Sequence, residues 1–208
     1  MEYIDISINI NKHTPIWPNG KKPKISYYKK FDKDNVNTSY IEMDSHAGTH
    51  IDAPKHFIKN GKSIEDIPLE KFIGPVYIIE INNKVINKHH IEKKSNILSN
   101  YKKIIFKTKN SNLYNKKFYK DYVALNIKAT KEIIKFDLDL IGIDYLSIQK
   151  YGEKYNEVHE SLLKNDILIL EGLDLRNVIE GKYKLYAFPI KIGNIDASPV
   201  RAILEKGD

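Results

Sequence analysis

The 208-residue chain contains no cysteine, one tryptophan and two methionines, and its only arginines are Arg176 and Arg201. Without thiols there is no disulfide framework, no thiolate zinc site and no cysteine nucleophile, a composition that fits a reducing compartment. The sequence also has no internal repeat, no proline- or serine-rich linker and no apolar stretch long enough to span a membrane. Its opening residues, MEYIDISINI, carry an early acid and alternate apolar positions, so they read as a strand and not as a secretory leader. A chain of this length buries one substantial core, and a single domain over residues 1–208 with a cytoplasmic location is expected.

The formal net charge of +7 raises the question of a nucleic-acid partner. Nearly all of the positive charge is lysine, spread among asparagine and isoleucine, and short pairs such as Lys21-Lys22, Lys29-Lys30 and Lys102-Lys103 are separated by apolar or aromatic residues. That dispersal describes a solvated surface better than a phosphate-binding face, and neither a nucleic-acid nor a membrane partner is expected.

What the sequence does have is concentrated chemistry. The run HAGTHIDAPKHF, residues 46–57, places His46, His50, Asp52 and His56 within eleven positions. Imidazole nitrogen and carboxylate oxygen are donors that hold a divalent ion and leave a position open for water, the requirement of metal-assisted hydrolysis. A solitary histidine on a turn is usually just a polar residue. Four such groups together have no common structural explanation, so a metal or catalytic role is expected here. The four share parity, but on a flat strand His46 and Asp52 would stand ~20 Å apart, too far for one ion. The backbone must therefore bend, and Gly48 is the position that tolerates it, which places the run on a bent strand-to-loop segment. Thr49 and Asp52 have short side chains suited to hydrogen-bonding nearby backbone or an imidazole N–H.

Three further residues invite assignment. Glu171 ends the apolar run Ile167 to Leu170, a buried-strand pattern whose far end suits a carboxylate held by a metal better than one left unpaired. His159, in YNEVHESLLKND, reads by itself as a helical residue of structural type. Trp17, between Pro15 and Pro18, sits on a stiff segment where it either stacks on an aromatic substrate or fills a core.

The run resembles the HxGTHxDxPxHF pattern of the metal-dependent cyclase family, whose members include the bacterial kynurenine formamidases. The likeness extends over most of the chain through TPIWPNG (14–20), NGKSIEDIP (60–68), GID (142–144), His159 with Glu171 in LEGLDL, and DASPVRAIL (196–204). It implies a swivelling β/β/α cyclase-like fold of α/β class, a mixed sheet with flanking helices and a cleft beside the sheet. It also implies that His46, His50 and Asp52 bind a first ion, that Asp52 with His159 and Glu171 bind a second, and that His56 is the proton donor and acceptor. Two divalent ions, Zn2+ or Mn2+, would supply hydroxide for attack on a small aromatic amide, with Trp17 against the substrate. A homodimer or larger homo-oligomer is implied as well. The chain departs from the formamidase pattern after Asp144, where Tyr145-Leu146-Ser147-Ile148-Gln149 stands in place of Thr-Pro-Ser-Val-Asp. Alternatives are isatin-hydrolase-like opening of a cyclic amide or lactone, and a non-catalytic metal- or ligand-binding family member.

Strand-like patterns cover residues 3–8, 39–43, 76–81, 103–107, 140–144, 167–170 and 186–192, and helical spacing covers 128–135 and 155–164.

Overall fold

The computed structural model describes residues 1–113 and 117–207. Eleven strands are present among them: β1 Glu2–Asp5, β2 Lys24–Lys29, β3 Thr38–Glu42, β4 His50–Asp52, β5 Ile73–Ile81, β6 Lys103–Thr108, β7 Leu140–Ile143, β8 Leu168–Glu171, β9 Gly181–Tyr186, β10 Ala197–Pro199 and β11 Ile203–Lys206. The helices are short: α1 Phe31–Asp34, α2 Lys88–Lys93, α3 Ser95–Asn100, α4 Ile127–Ile133 and α5 Glu157–Lys164. None of the described helices is long and apolar enough to cross a membrane.

Nine strands form one mixed sheet in the order β1-β11-β9-β5-β6-β7-β8-β4-β10. The central strands β5 to β8 are parallel and the flanking pairs antiparallel. Parallel strands are covered on both faces, which explains their nearly unbroken apolar runs. Side chains alternate between two cores. Ile79, Ile81, Ile104, Phe106, Ile141, Ile143 and Ile169 pack with Ile91, Ile133, Val158 and Leu162 of the helices. On the opposite face Ile51, Ile78, Ile105, Leu170, Leu185 and Leu204 join one cluster although they belong to six different strands, so the sheet curls around that core. The result is the mixed α/β architecture expected, with few helices.

Three sequence expectations need correction at their edges. The strand expected over 186–192 lies instead at Gly181–Tyr186, where Tyr183 and Leu185 alternate inward between exposed lysines. Beyond it Phe188, Ile190 and Ile192 are exposed, and Pro189, which lacks an N–H, makes only an isolated bridge to Val200. The strand expected over 3–8 stops at Asp5, with Ser7 continuing as a single bridge to Leu173. Helix α5 begins two residues later than its spacing predicts. Asn156 makes no side-chain cap there, and the buried amide oxygen of Gln149 instead accepts from Val158 N at 3.0 Å.

Among the described residues the β2–β3 ribbon pairs with no other strand, and nearly every one of its residues is exposed.

Candidate metal centre

The HAGTHIDAPKHF run bends where expected. Gly48 has φ +71°, the residues before it form a turn, and β4 then carries His50 and Asp52 into the sheet. After β4, Pro54 opens a single 3-10 turn, Pro54–His56, which swings His56 back towards His46. The ring centroids of these two histidines lie 4.1 Å apart, and those of His46 and His50 lie 5.0 Å apart.

Sheet register supplies the distant partners. β4 pairs with β8 so that His50 faces Glu171, and with β10 so that Asp52 faces Ala197. Directly opposed residues of an antiparallel pair share a face at side-chain contact distance. Tight backbone packing holds the bend against the end of β8. The Thr49 hydroxyl, buried, donates to the Gly172 carbonyl at 2.6 Å and accepts from Ile8 N at 2.9 Å, so it bonds backbone and not an imidazole. Gly172 has φ +71°, and a Cβ there would lie well inside van der Waals contact distance of the Gly48 carbonyl oxygen.

A substitution tests that packing. Gly172→Ala is expected to lower stability by at least about 2 kcal/mol, since a left-handed backbone costs a residue with a Cβ roughly 1–2 kcal/mol and the clash adds to it. Gly152 also has a positive φ but open space around it. Gly152→Ala should therefore show the backbone cost alone, and equal shifts of the denaturation midpoint in both variants would contradict the close-packing argument.

His50, Asp52, His159 and Glu171 are buried, while His46 and His56 are half-buried. Between Asp52 Oδ1 and His46 Nδ1 the distance is 2.9 Å, and between Asp52 Oδ1 and His50 Nε2 it is 3.5 Å. Glu171 Oε2 lies 3.5 Å from His50 Nε2, and its Oε1 lies 3.4 Å from His159 Nε2. Among the described residues, both oxygens of Asp52 and Nε2 of His50 nevertheless have no hydrogen-bond partner. Orphaned buried polar atoms are costly, and these converge. Donors each ~2.0–2.1 Å from one tetrahedral ion stand about 3.3–3.4 Å from one another, so the three longer spacings, unlike the 2.9 Å between Asp52 and His46, suit ligands sharing a cation better than hydrogen-bonded pairs. Among the described residues, two donor sets have their ligand atoms within 4.8 Å of one another: His46, Asp52 and His56; and His50, Asp52 and Glu171. Asp52 belongs to both. In these sets His50 sits with Glu171, and His56 lies beside His46 and Asp52.

The electrostatics point the same way. Burial works against a charged His46, but the carboxylates of Asp52 and Asp196 outweigh it and raise its pKa to about 11. Asp52, which burial alone would push up, is held well below the ordinary carboxylate range by His46 and the other imidazoles. Glu171 is opposed by burial and by Asp52, yet the adjacent His159 and His50 imidazoles keep it low. Two buried carboxylates kept ionised side by side demand positive charge, and a divalent cation fits that demand. Burial, aided by the neighbouring imidazoles His46 and His159, depresses His56, with Asp52 and Asp196 opposing, so its ring is neutral near pH 7.

Sequence reading assigned no role to two residues here. Asp196, just before β10, lies 2.9 Å from His46 Nε2 and 3.2 Å from His56 Nδ1 through one oxygen, Oδ2. Gln149, within the divergent segment, places Oε1 3.4 Å from His159 Nδ1. No local pattern reveals either contact. For His50 the local backbone performs this function, with Nδ1 3.0 Å from the Gly48 carbonyl. Each of these contacts satisfies one ring nitrogen and leaves the other for a ligand.

A cavity of about 660 Å³ opens over the centre, bordered by Trp17, His46, His50, His56, His159 and Glu171. Trp17 is 39% exposed, and its indole meets Phe118 and Tyr151 edge-on at 5.0 and 5.4 Å. Its ring is thus braced on one side and open to the cavity, not sealed in a core.

Comparison with known proteins agrees with this arrangement. A sequence model of the family described as putative cyclase matches residues 4–150. A kynurenine formamidase from Bacillus thuringiensis subsp. konkukian (strain 97-27) is 34% identical, covering 98% of this chain and 97% of its own. A solved structure described as a potential metal-dependent hydrolase with cyclase activity superposes with a TM-score of 0.84 at 29% identity, covering 100% of this chain and 99% of that one. An isatin hydrolase bound to the product analogue thioisatinate shares the fold at a TM-score of 0.85 and 18% identity, covering 98% and 91%. The sequence match, the shared fold and the convergent imidazoles and carboxylates lead to one assignment: the chain belongs to the putative cyclase family.

Proposed function

We propose that residues 1–208 form one metal-dependent hydrolase domain that cleaves a small aromatic amide in the manner of a kynurenine formamidase, converting N-formyl-L-kynurenine and water to L-kynurenine and formate. The observation that carries this reading is the set of buried donors without hydrogen-bond partners among the described residues, Asp52 Oδ1 and Oδ2 and His50 Nε2, next to a cavity of substrate size that His50 and Glu171 border. His46, His50, Asp52, His159 and Glu171 would hold two divalent ions, with Zn2+ favoured over Mn2+ by the imidazole share of the donor set. Bound there, the ions supply a water of lowered pKa and charge stabilisation for the amide oxygen.

The chain's own residues do the rest. Neutral His56, beside His46 at the half-buried edge of the centre, takes a proton from the attacking water and delivers one to the departing nitrogen. Trp17 offers its open face to the aryl ring, braced by Phe118 and Tyr151. Leu146, Ser147 and Gln149, from the segment that departs from the formamidase pattern, border the same cavity. This supports a second reading, the opening of a cyclic amide or lactone, because the residues that depart from the formamidase pattern shape the cavity.

The test is turnover by metal-reconstituted protein of N-formylkynurenine, isatin and simple lactones, with chelated protein as control. Hydrolysis of the formamide that disappears on chelation and returns with metal is expected. Stoichiometric binding of aromatic amides with no turnover of any would replace the hydrolase with a binding protein.

A homodimer in the cytoplasm belongs to the same proposal. The β2–β3 ribbon and its connecting turn expose Ile25, Tyr27, Tyr28, Phe31, Val36, Tyr40 and Ile41 at 43–65%. With aromatic side chains worth ~150–250 Å² each, that is on the order of 600–800 Å², close to one partner's share of a standard interface. Cross-strand pairs put Ile25 and Ile41 on one face and Ser26 and Tyr40 on the other, so both faces carry apolar groups and suit a protein partner better than a membrane surface. Light scattering on the intact protein should give twice the chain mass.

A further inference from the structure

Asp196 enters neither donor set, yet it touches both histidines at the open edge of the centre. Its backbone is fixed: Ala53 N donates to the Asp196 carbonyl at 2.8 Å, and the next residue, Ala197, is in register with Asp52. The side chain is fixed too, because Ser45 Oγ donates to Oδ1 at 3.1 Å, which leaves Oδ2 for the two rings. A carboxylate only accepts, whereas a neutral imidazole has one N–H and one lone pair. His46 has a carboxylate oxygen 2.9 Å from each ring nitrogen, Asp196 Oδ2 at Nε2 and Asp52 Oδ1 at Nδ1, so without an ion it carries both protons; when an ion takes Nδ1, Oδ2 holds the remaining N–H at Nε2. The same oxygen at 3.2 Å from His56 Nδ1 selects the opposite form, Nδ1–H, and leaves Nε2 bare. Two adjacent histidines with different tasks thus receive different tautomers from one atom.

We propose that Asp196 is a positioning residue for the reaction, fixing His46 in the tautomer that binds an ion through Nδ1 and His56 in the tautomer that accepts a proton at Nε2. This deepens the hydrolase reading and rests on it for His56. An imidazole in water prefers the Nε2–H form, so His56 needs an external acceptor at Nδ1 to hold the other. His46 needs the carboxylate less for its tautomer than for its orientation.

The experiment compares Asp196→Ala with wild type in protein carrying 15N-histidine. Long-range 1H–15N spectra read the tautomers with and without zinc, independently of turnover. The expected result is His56 as Nδ1–H in wild type and predominantly Nε2–H in the variant. In parallel, kcat should fall by roughly 100-fold with KM changed by less than about threefold, and zinc affinity by about tenfold, the range typical for groups that orient ligands. Ser45→Ala, which frees the carboxylate without removing it, should move kcat in the same direction by a smaller factor and serves if Asp196→Ala does not fold. An unchanged His56 tautomer in Asp196→Ala, or wild-type kcat in a folded variant of either kind, overturns the proposal. Wild-type protein without turnover but with the Nδ1–H form at His56 would instead remove the hydrolase reading and leave the positioning role of Asp196 standing.

Discussion

Replacing His56 with alanine is expected to reduce kcat by about 10²- to 10⁴-fold, the usual contribution of a positioned acid–base group, while the protein keeps its metal. Both halves of that expectation follow from where the ring sits. It packs between His46 and Phe57, with ring centroids 4.1 Å from each, so alanine opens space at the half-buried edge without disturbing the buried floor. The floor consists of His50, Asp52, Glu171 and His159, none of which needs His56 for its own contacts. Kinetics combined with elemental analysis decide the matter. His56 also belongs to a donor set with His46 and Asp52, which makes the measurement discriminating. A His56→Ala protein that loses an ion in step with activity would make His56 a ligand and leave the proton transfer without a carrier.

Asp52→Asn should have the other large effect, on metal and turnover together. Among the described residues, Asp52 is the one common to both donor sets, and its two oxygens are buried without a hydrogen-bond partner. The amide is nearly isosteric but places an N–H where a lone pair is required and removes a negative charge facing three imidazoles. Metal content is expected to fall by at least half, and kcat by about 10³-fold or more, in line with the loss of a hydroxide source. Thermal unfolding provides an independent reading. Wild type in metal at ~100 times Kd gains about 2.7 kcal/mol over chelated protein, and for a chain of this size that is a rise in Tm of roughly 5–10 °C. In Asp52→Asn the difference between loaded and chelated samples should shrink to a small fraction of that. A variant that binds two ions and gains full thermal protection would show that Asp52 is not shared between them.

The parts of the fold legible in the sequence were those governed by local periodicity. Strands β5 to β8 are parallel and covered on both faces, so their apolar runs were continuous and easily found. Of the β2–β3 ribbon only β3 was legible, as 39–43; β2 gave no pattern, because all of its residues are exposed and no alternation of burial is imposed on it. The error at 186–192 has the opposite cause. Phe188, Ile190 and Ile192 alternate as a strand would, but the alternation faces solvent, and Pro189 cannot donate to a ladder.

The chemistry divides along the same line. The sequence alone determined that His46, His50, Asp52 and His56 lie close together, because eleven residues with a bend at Gly48 cannot carry them far apart. It also determined that Glu171 ends a buried strand. Which donors share an ion-sized space was decided only by the tertiary structure, because sheet register sets β4 against β8 and so His50 against Glu171, 121 positions away in the chain. Register likewise placed Asp196 beside His46 and His56 across separations of 150 and 140 residues, contacts that no spacing rule encodes because hydrogen bonding between distant strands fixes them.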